Sequence, residues 1–171
     1  MREFANRLQD DELAHRMDNP FMARAIQLSI DNVVSVRGGP FGAVIVKNGS
    51  VVAEGANRVT TTNDPTAHAE IVAIREACAK VGGFELRDCE IYTSCEPCPM
   101  CLGAIYWARI ARVYFGNLAA DASRIGFDDS FIYAELAQPL PQRSIPMIQM
   151  MREQALAAFR AWQERLDKIP Y

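Results

Sequence analysis

Two short segments, far apart in this chain, carry side chains that have to meet in space: Pro65-Thr66-Ala67-His68-Ala69-Glu70 and Pro97-Cys98-Pro99-Met100-Cys101. His68, Cys98 and Cys101 are of the types that hold a zinc ion. Three such ligands leave the fourth tetrahedral position to a water or hydroxide, which separates a catalytic site from a closed structural one. Glu70 adds a carboxylate with no ligand duty, the kind of group that moves that water's protons. Whatever fold this chain adopts must bring both segments to one point.

Local chemistry suggests how. Cys98 and Cys101 are three apart, about 60° around a helix. Pro97 and Pro99 are tolerated in a first turn, where the N–H groups lack intrahelical partners anyway. The positive end of that helix favours thiolate over thiol. Asp64 before Pro65 reads as the N-cap of another helix with His68 in its opening turn, so two helix starts would converge on the metal. His68 and Glu70 are two apart, about 200° on a regular helix, so both reach the ion only if it lies near the helix end.

Several residues have plainer readings. A C-x-x-C pair alone also serves as a redox pair or half of a structural zinc site. Cys95, three residues before Cys98, would close the site as a fourth ligand; packing at a strand end is its other reading. Cys78 and Cys89 read as small buried hydrophobes, Trp107 as core, Asp128-Asp129 as a turn or helix cap, and His15 as incidental.

The surrounding pattern alternates. Asn19-Pro20 opens an amphipathic helix with apolar positions at Met22, Ile26, Ser29/Ile30 and Val33, stopped by Gly38-Gly39-Pro40. Gly42 to Lys47 and Ser50 to Gly55 flank Asn48-Gly49, a strong hairpin signal. A helix over about 65–81, a strand over 89–93, a helix over 97–108 and a strand over 111–116 follow, which implies parallel pairing by crossover. Ala43-Val44-Ile45-Val46 is apolar on both faces, so helices are expected on each side of a mixed sheet, as a three-layer α/β/α sandwich. Prolines at 139, 141 and 146 precede a last helix over about 152–168, with Leu156, Phe159, Trp162 and Leu166 at helical spacing. At 171 residues, half of them apolar, the chain is read as one domain, with 1–18 an N-terminal extension of no assigned role.

Composition narrows the function. A net charge of −3 offers nucleic acid no general attraction. No apolar run approaches the roughly 20 residues of a membrane span. Five cysteines without a secretory segment read as reduced thiols in a cytoplasmic protein.

His-x-Glu with Pro-Cys-x-x-Cys is the signature of zinc-dependent nucleobase deaminases. With Gly38-Gly39-Pro40-Phe41-Gly42-Ala43-Val44, Asn63-Asp64-Pro65-Thr66-Ala67-His68-Ala69-Glu70, Thr93 to Trp107, and Gly126-Phe127-Asp128-Asp129-Ser130-Phe131-Ile132-Tyr133, the chain resembles the guanine deaminase branch of the cytidine deaminase-like superfamily. The resemblance implies a five-stranded sheet between helices, one zinc per subunit, and hydrolysis of guanine at C2 to xanthine and ammonia. It implies that Glu70 moves protons, that Asn57 hydrogen-bonds the purine, that Phe41 and Trp107 line it, and that backbone N–H groups near Ala69 and Cys98 complete the pocket. Asp129 would contact the amino and N–H edge and assist proton transfer. In this branch the C-terminal segment, here about 150–171, can swap between subunits of a homodimer and bring its last residue, Tyr171, over the partner's site. Guanosine, an aminotriazine such as ammeline, cytosine and tRNA adenosine remain alternative substrates of the same mechanism. A catalytically silent module with structural zinc remains the alternative of another class.

Overall fold

In the computed structural model, which describes residues 18–170, the chain divides into two compact units, one ending at Asp128 and one beginning at Asp129. The first contains helix α1 (Pro20–Val34), strands β1 (Gly42–Lys47) and β2 (Ser50–Ala56), helices α2 (Val59–Thr62) and α3 (Ala69–Val81), strand β3 (Cys89–Cys95), helix α4 (Pro99–Trp107), strand β4 (Arg112–Asn117) and helix α5 (Ala119–Arg124). Asn48 and Gly49 both take positive φ, which matches the twist of the β1–β2 hairpin. β1 pairs antiparallel with β2 and with β3, and β3 pairs parallel with β4, the sheet order being β2-β1-β3-β4.

Alternate residues of β1 point to opposite layers, as strand geometry requires. Ala43 and Ile45 pack with Ala69, Ala73 and Ala77 of α3 and Ile105 of α4; Val44 and Val46 pack with Ala25 of α1 and Tyr92. The mixed sheet is therefore covered on both faces, the expected three-layer sandwich. Glycines set the spacing: a Cβ on Gly42 would overlap the Ala25 carbonyl of α1, and one on Gly55 would overlap the Ala69 carbonyl of α3.

Three expectations are corrected. The described residues hold four strands rather than five, because beyond Asn117 the chain is helical or interrupted by Pro139, Pro141 and Pro146, whose missing N–H groups cannot feed a ladder. On α1 the buried row is Ala25, Ser29 and Asn32, whereas Ile26, Ile30 and Val33 are 41–50% exposed. Close approach of α1 at Gly42 selects its small residues, which overrides the apolar count. Helices α3 and α4 start later than expected, at Ala69 and Pro99, with His68 rather than Asp64 at the first N-cap.

The second unit contains α6 (Ser130–Ala137), a 3₁₀ turn (Leu140–Gln142) and α7 (Arg152–Glu164). Glu135 anchors its middle, accepting from Ser144 N at 2.7 Å and Ser144 Oγ at 2.9 Å. No residue from 129 to 170 is buried, including the helical apolar row Phe159 and Trp162. No helix among the described residues is long and apolar enough to cross a membrane.

Candidate metal centre

His68 and Cys98 are the N-caps of α3 and α4, both with extended backbone, and Pro99 supplies the first residue of α4 without losing a hydrogen bond. Val72 N–H donates to His68 O and Leu102 N–H to Cys98 O, each at 2.9 Å, which locks each cap onto its helix. The two caps face one another: His68 Nδ1 lies 3.5 Å from Cys98 Sγ and 3.5 Å from Cys101 Sγ. Two helix starts do converge, and Cys101, fully buried in the first turn of α4, completes the triad.

The dimensions suit a zinc ion. Bond lengths near 2.05 Å to nitrogen and 2.3 Å to sulfur at tetrahedral angles place N and S about 3.6 Å apart, against 3.5 Å here. All three ligand atoms lie within 4.8 Å of one another, and no other such cluster occurs among the described residues. The thiols interact strongly: the Cys98 thiol is pulled down to about 4 by the hydrogen bond from Cys101, reinforced by His68, while donating that bond and burial push Cys101 up. A cation held here would require the sulfurs as thiolates, so its binding would release thiol protons.

Glu70 is the second residue of α3 and only 7% exposed. Burial raises its carboxyl above the ordinary range, opposed by a bond from its own backbone amide; the nearby Cys98 charge raises it further and His68 lowers it. His68 has extended dihedrals, so the 200° separation of a regular helix does not apply to it and Glu70. Both address the space at the end of α3.

Asn57, just past β2, is 5% exposed, its Oδ1 accepting from Gly39 N and Val59 N at 3.3 Å each. Arg58 N–H donates to Ala67 O at 2.9 Å, tying this segment to the loop that ends at His68. Phe41 is half-buried at the start of β1 and meets Phe127 edge-on at 4.9 Å between ring centroids. Ala69 is buried as the first residue of α3.

Trp107 ends α4, about 13 Å of helical rise from Cys98, and is 63% exposed beneath the Arg109 guanidinium at 5.8 Å. It is not part of the core. Cys95 Sγ is directed to Leu118 O at 3.7 Å and is not in the triad. Cys89 is buried and Cys78 half-buried, both as free thiols. Asp129 occupies the N-cap position of α6, and Tyr171 and His15 lie outside the described residues. Sequence reasoning missed Asn32, whose only signal was an amide on the small-residue row of α1.

Residues 15–117 match the cytidine and deoxycytidylate deaminase zinc-binding region. The chain is 54% identical to the guanine deaminase of Bacillus subtilis (strain 168) over 151 residues, 88% of this chain and 97% of that protein. An X-ray structure of guanine deaminase from Bacillus subtilis superposes with a TM-score of 0.86 at 54% identity, covering 88% of this chain and 96% of that one. A tRNA-specific adenosine deaminase of Agrobacterium fabrum is 49% identical over 77 residues, 45% of this chain and 51% of that protein. The chain therefore belongs to the zinc-binding cytidine and deoxycytidylate deaminase family, in its guanine deaminase branch.

Proposed function

We propose that this protein hydrolyses guanine at C2, yielding xanthine and ammonia. The observation that carries the chemistry is a buried carboxyl, Glu70, at the end of α3 where His68, Cys98 and Cys101 converge. The substrate reading is supported by the extent of likeness: 151 aligned residues cannot fit within the first unit and must run into the second, whereas the matches to tRNA-specific adenosine deaminases run over 77 to 119 residues.

A zinc ion held by His68, Cys98 and Cys101 would supply water with a pKa lowered toward about 7, hence a nucleophile at neutral pH. The protein's own residues then move protons. Glu70 takes one from the attacking water as the new C2–O bond forms, and passes it to the adjacent ring nitrogen. It next takes the remaining hydroxyl proton and delivers it to the exocyclic amine; the C2–N bond breaks, ammonia leaves, and C2 becomes a carbonyl. A carboxyl raised by burial suits both directions of transfer.

In this reading Asn57 donates to the purine, Phe41 and Trp107 contribute aromatic surface, and backbone N–H groups near Ala69 and Cys98 complete the pocket. Asp129 pairs with the amino and N–H edge and assists proton transfer, so a base lacking those donors leaves a buried acceptor unpaired. The protein acts in the cytoplasm as a homodimer, its C-terminal segment lying on the second copy with Tyr171 closing that copy's site. In support, apolar side chains of α7 in the second unit are exposed, Phe159 at 69% and Trp162 at 41%.

Ammonia release from guanine, guanosine, ammeline, cytosine and adenine, measured side by side, tests the proposal. Guanine is expected to lead. Turnover of guanosine alone would refute it.

A further inference from the structure

Asn32 takes no part in the proton transfers, yet it is a polar side chain only 6% exposed. Its amide nitrogen carries two hydrogens and both are engaged, one by Gly39 O at 2.8 Å and the other by Asn57 O at 2.9 Å. These acceptors belong to different segments, the loop entering β1 and the residue after β2. The segments are joined in return: Gly39 N–H donates to Asn57 Oδ1 at 3.3 Å, and Asn57 N–H donates to Phe41 O at 3.1 Å. Phe41 N–H closes back on Gly39 O at 2.8 Å. Asn32 is thus the corner of a ring of hydrogen bonds that contains both Phe41 and Asn57.

The ring is rigid for two reasons. The backbone of Asn32 is itself held, its carbonyl accepting from Arg37 N at 3.0 Å where α1 ends. Gly38 also leaves no slack: a Cβ there would overlap Asn57 O and stand 3.0 Å from Asn32 Nδ2. With Oδ1 of Asn57 accepting from two backbone amides, its Nδ2 hydrogens are what that side chain has to offer a ligand.

We propose that Asn32 is a positioning residue for the substrate: by donating to the Gly39 and Asn57 carbonyls it holds the Asn57 amide and the Phe41 ring in the geometry that grips the purine. The proposal rests on the guanine reading above, and a double-mutant cycle on kcat/KM for guanine tests it. Asn32→Ala alone is expected to lower kcat/KM by about 10- to 100-fold, mainly through KM and with zinc content unchanged; in an Asn57→Ala background the same change costs less than about 3-fold. Where turnover of the Asn57→Ala protein is too slow to follow, the dissociation constant of xanthine is measured through the same cycle. Should Asn32→Ala not fold, Asn32→Ser, which keeps one donor, takes its place with a smaller expected loss of about 3- to 10-fold. Equal losses in both backgrounds, no loss, or a loss that follows zinc content would overturn the proposal. If the wild type releases no ammonia from guanine, the guanine reading fails instead; an active wild type indifferent to Asn32 defeats only the positioning role.

Discussion

At the scale of single residues, Glu70 is the sharpest test of whether this centre is catalytic. It is buried, its carboxyl is destabilised as an anion by that burial, and it is not one of the ligand atoms. Glu70→Ala is expected to keep the fold and one zinc per chain while turnover falls by about 10²- to 10⁴-fold, the usual worth of a positioned acid–base group. Metal analysis and ammonia release on the same preparation check this; a variant as active as wild type would remove Glu70 from the mechanism. His68, Glu70, Cys98 and Cys101 were legible because their chemistry lies in residue type and short spacing. Asn32 was not, since its partners lie 7 and 25 residues away. Nor could spacing show that Trp107 ends its helix under Arg109 with 63% of its surface exposed.

At the scale of elements, the ends of helices and the glycines beneath them govern the site. α1 ends with Arg37 N–H on Asn32 O and Val36 N–H on Val33 O, a Schellman pattern whose left-handed position is held by Val36 at φ 56°. A β-branched residue there costs about 1–2 kcal/mol, while glycine loses about 0.4–1 kcal/mol more in unfolded-chain entropy. Val36 is 89% exposed, so little packing is at stake. Val36→Gly is therefore expected to raise stability by about 0.5–1 kcal/mol in urea unfolding. Gly55 is the opposite case, since an added Cβ would overlap Ala69 O and come within 2.7 Å of Ala73 N. Gly55→Ala is expected to cost about 1–3 kcal/mol and, by displacing the start of α3, to reduce zinc content measured alongside unfolding. Retained zinc would show that α3 yields without moving His68. The strands, hairpin and helix order were legible from periodicity. The buried face of α1 was not, because backbone approach at Gly42 selects Ala25, Ser29 and Asn32 over the larger side chains beside them.

At the scale of the whole molecule, the second unit carries α7 with an apolar row and no buried residue among 129–170. The proposed homodimer would cover this apolar row with the second copy. If Tyr171 closes the partner's site, mixing inactive Glu70→Ala chains with impaired Tyr171→Ala chains should restore activity. Half of randomly mixed dimers are heterodimers with one intact site of two, so recovery approaches about a quarter of wild type. Ammonia release after subunit exchange measures it, and no recovery would place Tyr171 over its own chain's site. By itself the sequence determined the reaction centre and the alternating elements that build it, because ligand type, spacing and periodicity act over a few residues. Only the tertiary structure decided how the two helix caps meet at 3.5 Å and which face of α1 is buried. It also decided that Asn32 would tie Gly39 to Asn57. Those outcomes depend on close backbone approach and hydrogen bonds between distant segments, which exist only once the layers have packed.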